Sequence, residues 1–218
     1  MKFRRSEWAV GRSVARSGLV ANRSAGAKWT IRNQLPPFIK RSISESGFSI
    51  PQTFTDADIA NGFSGVPLKG VREQVIVATK FGNTFDESSR QKTGQDASAE
   101  GIRRACDESL RRLGTTYIDL YQFHLNDYDP KKAVEVLGTL EELVAAGKIR
   151  SYGWSTDFPE RAKVFAEGKH NVAVQHELSV FFDAPEMLRF CEERGLASIN
   201  RSPLAMGLLT ASSMGDRD

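Results

Sequence analysis

Cysteine is scarce in this chain, with two residues among 218. Cys106 and Cys191 each fall on the apolar stripe of an expected helix. They read as buried thiols in a reducing compartment rather than as a disulfide framework. Histidine is almost as rare, and His124, His170 and His176 have no spacing that would hold a metal ion. No apolar run approaches the ~18 residues that a membrane span needs. No apolar h-region of a secretory signal is present, so neither membrane nor export is expected. No Gly-rich phosphate turn follows any expected strand, which argues against a Rossmann-type dinucleotide fold. Gly153-Trp-Ser155 lacks the Gly-x-Ser-x-Gly frame of a nucleophile elbow.

Acidic residues are missing from the first part of the chain. Residues 1–44 hold ten Lys and Arg against Glu7, whereas the remainder holds 20 basic and 26 acidic side chains. The two parts do not share one composition. A basic, Ser-rich, acid-poor leader fits a mitochondrial or plastid transit peptide. A nucleic-acid arm fits less well, because aromatic interleaving is lacking, and no nucleic-acid partner is expected. Without a leader, the thiols point to the cytoplasm. Residues 51–74 contain Pro51, Gly62, Gly65 and Pro67 and read as loop.

From Val75 a regular pattern begins. Val75-Ile-Val-Ala-Thr-Lys-Phe-Gly82 is a buried parallel strand that ends on Lys80. Residues Gly82 to Ala97 read as a polar loop. Ser98 is placed to cap a helix whose apolar residues run from Ile102 to Leu113, and Gly114 suits its C′ position. Ile118-Asp-Leu-Tyr-Gln-Phe-His124 is a second strand, closing on a histidine. Asp129-Pro130 opens the next helix, ended by Gly147. Strands are expected at Arg150–Trp154, Asn171–Leu178 and Leu196–Asn200. Helices are expected from Pro159 to Gly168 and from Asp183/Pro185 to Gly195. Strict alternation of five strands and four helices implies a parallel sheet with right-handed crossovers. A β/α barrel, or part of one, is the expected α/β architecture.

The strand ends form a set: Lys80, His124, Ser155-Thr156, Gln175 and Arg201-Ser-Pro-Leu204. A charge at the end of a buried strand is costly unless it is paired or used. Polar groups at the C-terminal ends of parallel strands are what a barrel active site requires. His176 follows Gln175, so it should face the other way and pack against a helix. Together with Val77-Ala-Thr-Lys-Phe-Gly82, Gly153-Trp-Ser-Thr156 and Ser202-Pro-Leu-Ala-Met-Gly207, these phrases resemble the aldo-keto reductase family from about Leu68 to Thr210.

The resemblance implies an eight-stranded (β/α)8 barrel of TIM type that reduces aldehydes and ketones with NADP(H). It implies a small carbonyl compound as the partner, with Lys80 and His124 catalytic. Ser155, Thr156, Gln175, Arg201, Ser202 and Leu204 fall at cofactor-binding positions. Thr156 stands where many members have asparagine. Arg201 stands where many have an aromatic ring stacked on the nicotinamide.

The family's phrase Asp-Thr-Ala-x-x-Tyr-Gly supplies an aspartate for the lysine and a proton-donating tyrosine. Its nearest counterpart is Phe54-Thr-Asp-Ala-Asp-Ile-Ala-Asn-Gly62. Aligned on Ala57, Thr55 takes the aspartate position and Ala60 the tyrosine position. Asp56 and Asp58 lie one place off, which in a strand means the opposite face. Residues 1–67 are therefore expected to be a degenerate or disordered region covering barrel strands one and two. Residues 6–67 within it are expected to be translated out of frame or otherwise scrambled. Residues 68–210 form the barrel segment and 211–218 a tail. The final β/α unit is expected to be absent, and activity of this chain is set against an inactive or purely binding remnant.

Overall fold

A computed structural model describes residues 72–74, 76–86, 89, 91–205 and 208–209. Val75, residues 1–71 (with Thr55, Ala60 and the expected degenerate segment) and residues 211–218 lie outside the described residues.

A 3-10 turn at Arg72–Gln74 leads into strand β1, Ala78–Phe81. The 82–97 stretch, expected as loop, instead contains an antiparallel hairpin of β2 (Asn83–Phe85) and β3 (Lys92–Gln95). Apart from Phe85 its strand residues are polar or glycine, so no alternation marked it as a strand pair. Helix α1 spans Ala99–Leu113. Ser98 Oγ accepts from the Gly101 N–H, and Gly114 closes the helix at φ 61°. Strand β4 is Ile118–Phe123 and helix α2 is Pro130–Ala145, with Asp129 accepting from the Lys131 N–H. Strand β5 (Ile149–Ser155), helix α3 (Pro159–Ala166) and strand β6 (Asn171–Glu177) follow. Helix α4 (Pro185–Arg194) and strand β7 (Ala197–Arg201) complete the alternation. Asp183 does not cap α4. The cap position is Ala184, which has no side chain to offer.

The five long strands form one parallel sheet in the order β1-β4-β5-β6-β7. Each neighbour pair in this order is bridged by a helix, apart from the hairpin inserted before α1. This is the repeating unit of a β/α barrel.

The two faces of the sheet differ. Phe81, Tyr121, Phe123, Tyr152 and Trp154 point to the helix side, where the last three meet Phe165 of α3. Their rings stack, with Phe81 to Tyr121 at 4.4 Å and Phe123 to Trp154 at 5.2 Å between centroids. Each such side chain contributes roughly 1.5–3 kcal/mol on burial. The inner face carries small and aliphatic residues: Ala78, Leu120, Val172, Ala173 and Ile199. Gly153 shows how tightly that face is packed, since a Cβ there would lie 2.5 Å from the Ala173 carbonyl oxygen on β6. Cys106 and Cys191 are buried on α1 and α4, and burial pushes both thiols up to about 12. Among the described residues, no helix is long and apolar enough to cross a membrane.

Candidate active site

Side chains alternate along a strand, so the inner face continues past the small residues to the C-terminal ends. Lys80 follows Ala78 on β1, and Gln122 and His124 follow Leu120 on β4. Lys80 pairs in register with Gln122, and the His124 N–H extends the ladder to the Phe81 carbonyl at 2.9 Å. Ser155 ends β5 and pairs with Gln175 of β6, which pairs with Ile199 of β7. Arg201 lies on the same face of β7 as Ile199. Five of the eight expected residues (Lys80, His124, Ser155, Gln175 and Arg201) are thus brought to one end of one face.

Thr156 is turned away. It is fully buried on the opposite side, where its hydroxyl donates to the Asn126 carbonyl at 2.7 Å and accepts from the Phe158 N–H. Ser202 and Leu204 lie in the turn after β7. Ser202 and Ala205 hold φ values of 55° and 48°, and the Ala205 N–H donates to the Ser202 carbonyl at 2.8 Å. Left-handed backbone at non-glycine residues is uncommon and concentrates at functional sites. Tyr121, the nearest tyrosine in sequence to His124, is ruled out as a group of this face because it stacks on Phe81 on the helix side.

The electrostatics are unusual for so buried a set. Lys80 is 5% exposed. Burial lowers the His124 pKa to about 4, reinforced by the charges of Lys80, Arg201 and Lys92. His124 is therefore a neutral imidazole at ordinary pH. Ser155 Oγ, Gln175 Oε1 and both polar atoms of the Gln122 amide are buried without a hydrogen-bond partner among the described residues. Buried polar atoms are normally satisfied, because each orphan costs about 1–3 kcal/mol. Gln122, Ser155 and Gln175 bring such orphans together at one end of the inner face, while Tyr117 and Asn171 keep others elsewhere among the described residues.

Three positioning residues escaped the sequence reading. Asp157 accepts from the Glu177 N–H at 2.7 Å and forms an ion pair with Arg201, which also faces Glu177 at 3.8 Å. Asn126 Oδ1 accepts from the Asp157 N–H at 2.8 Å and so fixes the loop after β5. Asn83 donates to the His124 carbonyl at 2.9 Å. Only the polar neighbour following Thr156, and the residue after the turn-forming Gly82, signalled the first and last. His176 faces the helix side as expected, with Nε2 2.7 Å from Ser198 Oγ.

The family model for the aldo/keto reductase family matches residues 59–218. The chain belongs to the aldo/keto reductase family. The matched span starts at Ile59, and so includes Ala60 and residues that the sequence reading assigned to the degenerate segment. Among aldo/keto reductase relatives, an uncharacterized oxidoreductase, YqkF of Bacillus subtilis, is 36% identical over 147 residues. Those residues are 67% of this chain and 47% of the relative. The NADH-specific methylglyoxal reductase of Escherichia coli is 31% identical over 156 residues, 66% of this chain and 48% of that one. The holo form of aldo-keto reductase AKR11C1 from Bacillus halodurans superposes with a TM-score of 0.59 at 34% identity. That match covers 71% of this chain and 50% of the other. The glycerol dehydrogenase AKR11B4 of Gluconobacter oxydans gives the same TM-score at 29% identity, over 74% and 48%. The chain spans about half the length of the curated relatives it matches.

Proposed function

We propose that this chain is an oxidoreductase that reduces small aldehydes or ketones to alcohols with a nicotinamide cofactor, NADP(H), at the C-terminal ends of β1, β4, β5, β6 and β7. The single observation that carries this reading is the pair of orphaned polar atoms, Ser155 Oγ and Gln175 Oε1, on register-paired strands. A carboxamide carries both a donor and an acceptor, so it complements a hydroxyl beside an amide oxygen. The residues present therefore fit the nicotinamide end of the cofactor. Arg201, held by Asp157, presents a planar cation at the same mouth. The turn at Ser202 and Leu204 is the reading's site for the pyrophosphate. When bound, the cofactor supplies the hydride.

The chain's own residues then handle charge and proton. Reduction puts negative charge on the carbonyl oxygen, and donors already aimed there stabilise it without reorganisation. Lys80 supplies a buried positive charge, worth more in this setting than in water. Neutral His124 offers one ring N–H as a donor and no competing charge. Gln122, in register with Lys80, lines the floor beneath them. The buried thiols fit a reducing compartment, and the reading places the protein in the cytoplasm.

A second reading, a family member that binds cofactor without turnover, is favoured by Ala60 at the position of the proton-donating tyrosine. Titration of the purified chain with NADPH and with NADH, followed by fluorescence, is the first test. Saturable binding lost in Ser155→Ala or Gln175→Leu supports the site. Turnover of methylglyoxal or an aromatic aldehyde then separates the first reading from the second. Absence of binding to either dinucleotide would remove both.

A further inference from the structure

His124 has two ring nitrogens, and which of them carries the proton decides what the imidazole can do. The hairpin supplies the contact that bears on it. Gly82 holds φ 108°, and a Cβ there would meet Leu125 Cγ at 3.0 Å and Phe123 Cε2 at 3.2 Å. Glycine is therefore required where β1 turns into β2. The Asp96 N–H donates to the Gly82 carbonyl at 2.8 Å and closes the base of the hairpin. Asn83, the first hairpin residue, is thereby laid across the end of β4.

The Asn83 amide nitrogen lies 2.9 Å from the His124 carbonyl oxygen and 3.4 Å from His124 Nδ1. A backbone carbonyl only accepts, so the amide must present its N–H₂ side here and cannot be flipped. That same N–H₂ faces Nδ1. A proton on Nδ1 would set two donors against each other in a half-buried place. We propose that Asn83 is a positioning residue that holds His124 in the tautomer with its proton on Nε2, leaving Nε2–H as the ring's donor to a bound carbonyl oxygen. The tautomer stands on geometry alone, whereas its use in turnover rests on the proposed reductase reading.

Lys80, Arg201 and Lys92 surround the ring with positive charge, so a doubly protonated imidazolium does not compete. Nδ1 is then free to accept, as the Asn83 contact requires.

The test is a long-range proton–nitrogen correlation spectrum of the ¹⁵N-labelled full chain at neutral pH. The chain has three histidines, and His124→Gln identifies the His124 signals by their loss. The unprotonated nitrogen of a neutral imidazole resonates well downfield of the protonated one. Nδ1 is expected at the unprotonated position and Nε2 at the protonated one. A proton on Nδ1 in the unaltered chain overturns the proposal without any variant. Asn83→Asp puts a carboxylate acceptor opposite Nδ1 and should move the proton there, while Asn83→Leu should give a mixture. Unchanged spectra in both variants, each shown to be folded by circular dichroism, also overturn it.

In the reductase reading, Asn83→Asp lowers kcat roughly 10–100-fold, as loss of a histidine-orienting partner does elsewhere, with the cofactor KM unchanged. A tautomer that follows residue 83 in a chain that turns over no carbonyl would sink the reductase reading and leave this one standing. Turnover with a tautomer indifferent to residue 83 would do the reverse.

Discussion

Asp119 at one end of the parallel sheet and Gln122, Ser155 and Gln175 at the other treat buried polar atoms in opposite ways. At the N-terminal end Asp119, the second residue of β4, is 1% exposed, yet its carboxylate has three donors. Its carboxylate accepts from the Val77 N–H at 2.9 Å, from Arg72 at 2.8 Å and from Arg150 at 3.1 Å. Both guanidiniums also lie over the Tyr117 ring, 3.7 and 4.0 Å from its centroid. Nearby, Glu141 gathers the Tyr152 hydroxyl, the Lys169 N–H and His170. At the C-terminal end Lys80 is buried and Gln122, Ser155 and Gln175 keep orphaned atoms. A closed network stiffens a fold, whereas an open one waits for a partner. On the proposed reading the first end serves stability and the second a ligand, which is the division of labour expected of a β/α barrel.

The largest effect should come from breaking the closed end. Asp119→Ala leaves Arg72 largely buried without its carboxylate and the Val77 N–H without an acceptor. Removing one partner of a buried pair costs about 3–5 kcal/mol. Urea unfolding should show that loss as a lower midpoint at unchanged slope. A loss under about 1 kcal/mol would mean that the network is decoration and would erase the contrast.

Acid should act through His124, at the open end. Its folded pKa of about 4 lies below the ordinary value of 6.5, so the unfolded chain takes up a proton first as pH falls. Stability is full above pH 6.5 and declines between 6.5 and 4, by up to about 3 kcal/mol. Burial lowers the His176 pKa as well, and it adds a decline of the same sign. Comparing the unaltered chain with His124→Gln at pH 7.5 and pH 4.5 isolates the His124 part. A variant that loses as much stability on acidification as the parent would show that this ring is not held neutral.

A milder cut at the closed end is Tyr152→Phe. It removes the hydroxyl that donates to Glu141 and leaves that carboxylate its remaining donors. Burial alone would raise the Glu141 pKa, but the bonds from Tyr152 and His170 hold it below the usual carboxylate value. Because those other donors remain, the loss should sit at the low end for a bond to a charged group, about 1.5 kcal/mol. Thermal unfolding reads it directly.

How much of this was legible beforehand depends on which residues are considered. The alternation of strands and helices could be read because apolar runs such as 118–123 are punctuated by Gly114, Gly147 and Gly195 and by Pro130, Pro159 and Pro185. Lys80, His124, Ser155 and Gln175 stood out as polar residues terminating apolar strands. The hairpin 83–95 did not, because its Asn, Thr, Lys and Gln give neither a period of two nor an apolar face. Asn83, Asn126 and Asp157 were hidden for another reason. Their roles are contacts with residues 20 to 44 positions away, which only the folded sheet brings near. Thr156 shows the converse, since one step along the chain from Ser155 turned it to the far face.

The smallest stability effect should belong to the residues that matter most to the proposed reaction. Ser155→Ala and Gln175→Leu each remove a buried polar atom that has no partner among the described residues. Deleting an unsatisfied group forfeits no bond and relieves its desolvation cost, so unfolding stability should stay within about 0.5 kcal/mol of the parent or rise. Dinucleotide affinity should move the other way, falling roughly tenfold for each atom if one hydrogen bond worth about 1.4 kcal/mol is lost. Stability unchanged with affinity lost is the signature of an end kept open for a ligand. Stability falling by several kcal/mol with affinity unchanged would mean that these atoms serve the fold. In that case the sheet would be closed at both ends and the contrast between them would vanish.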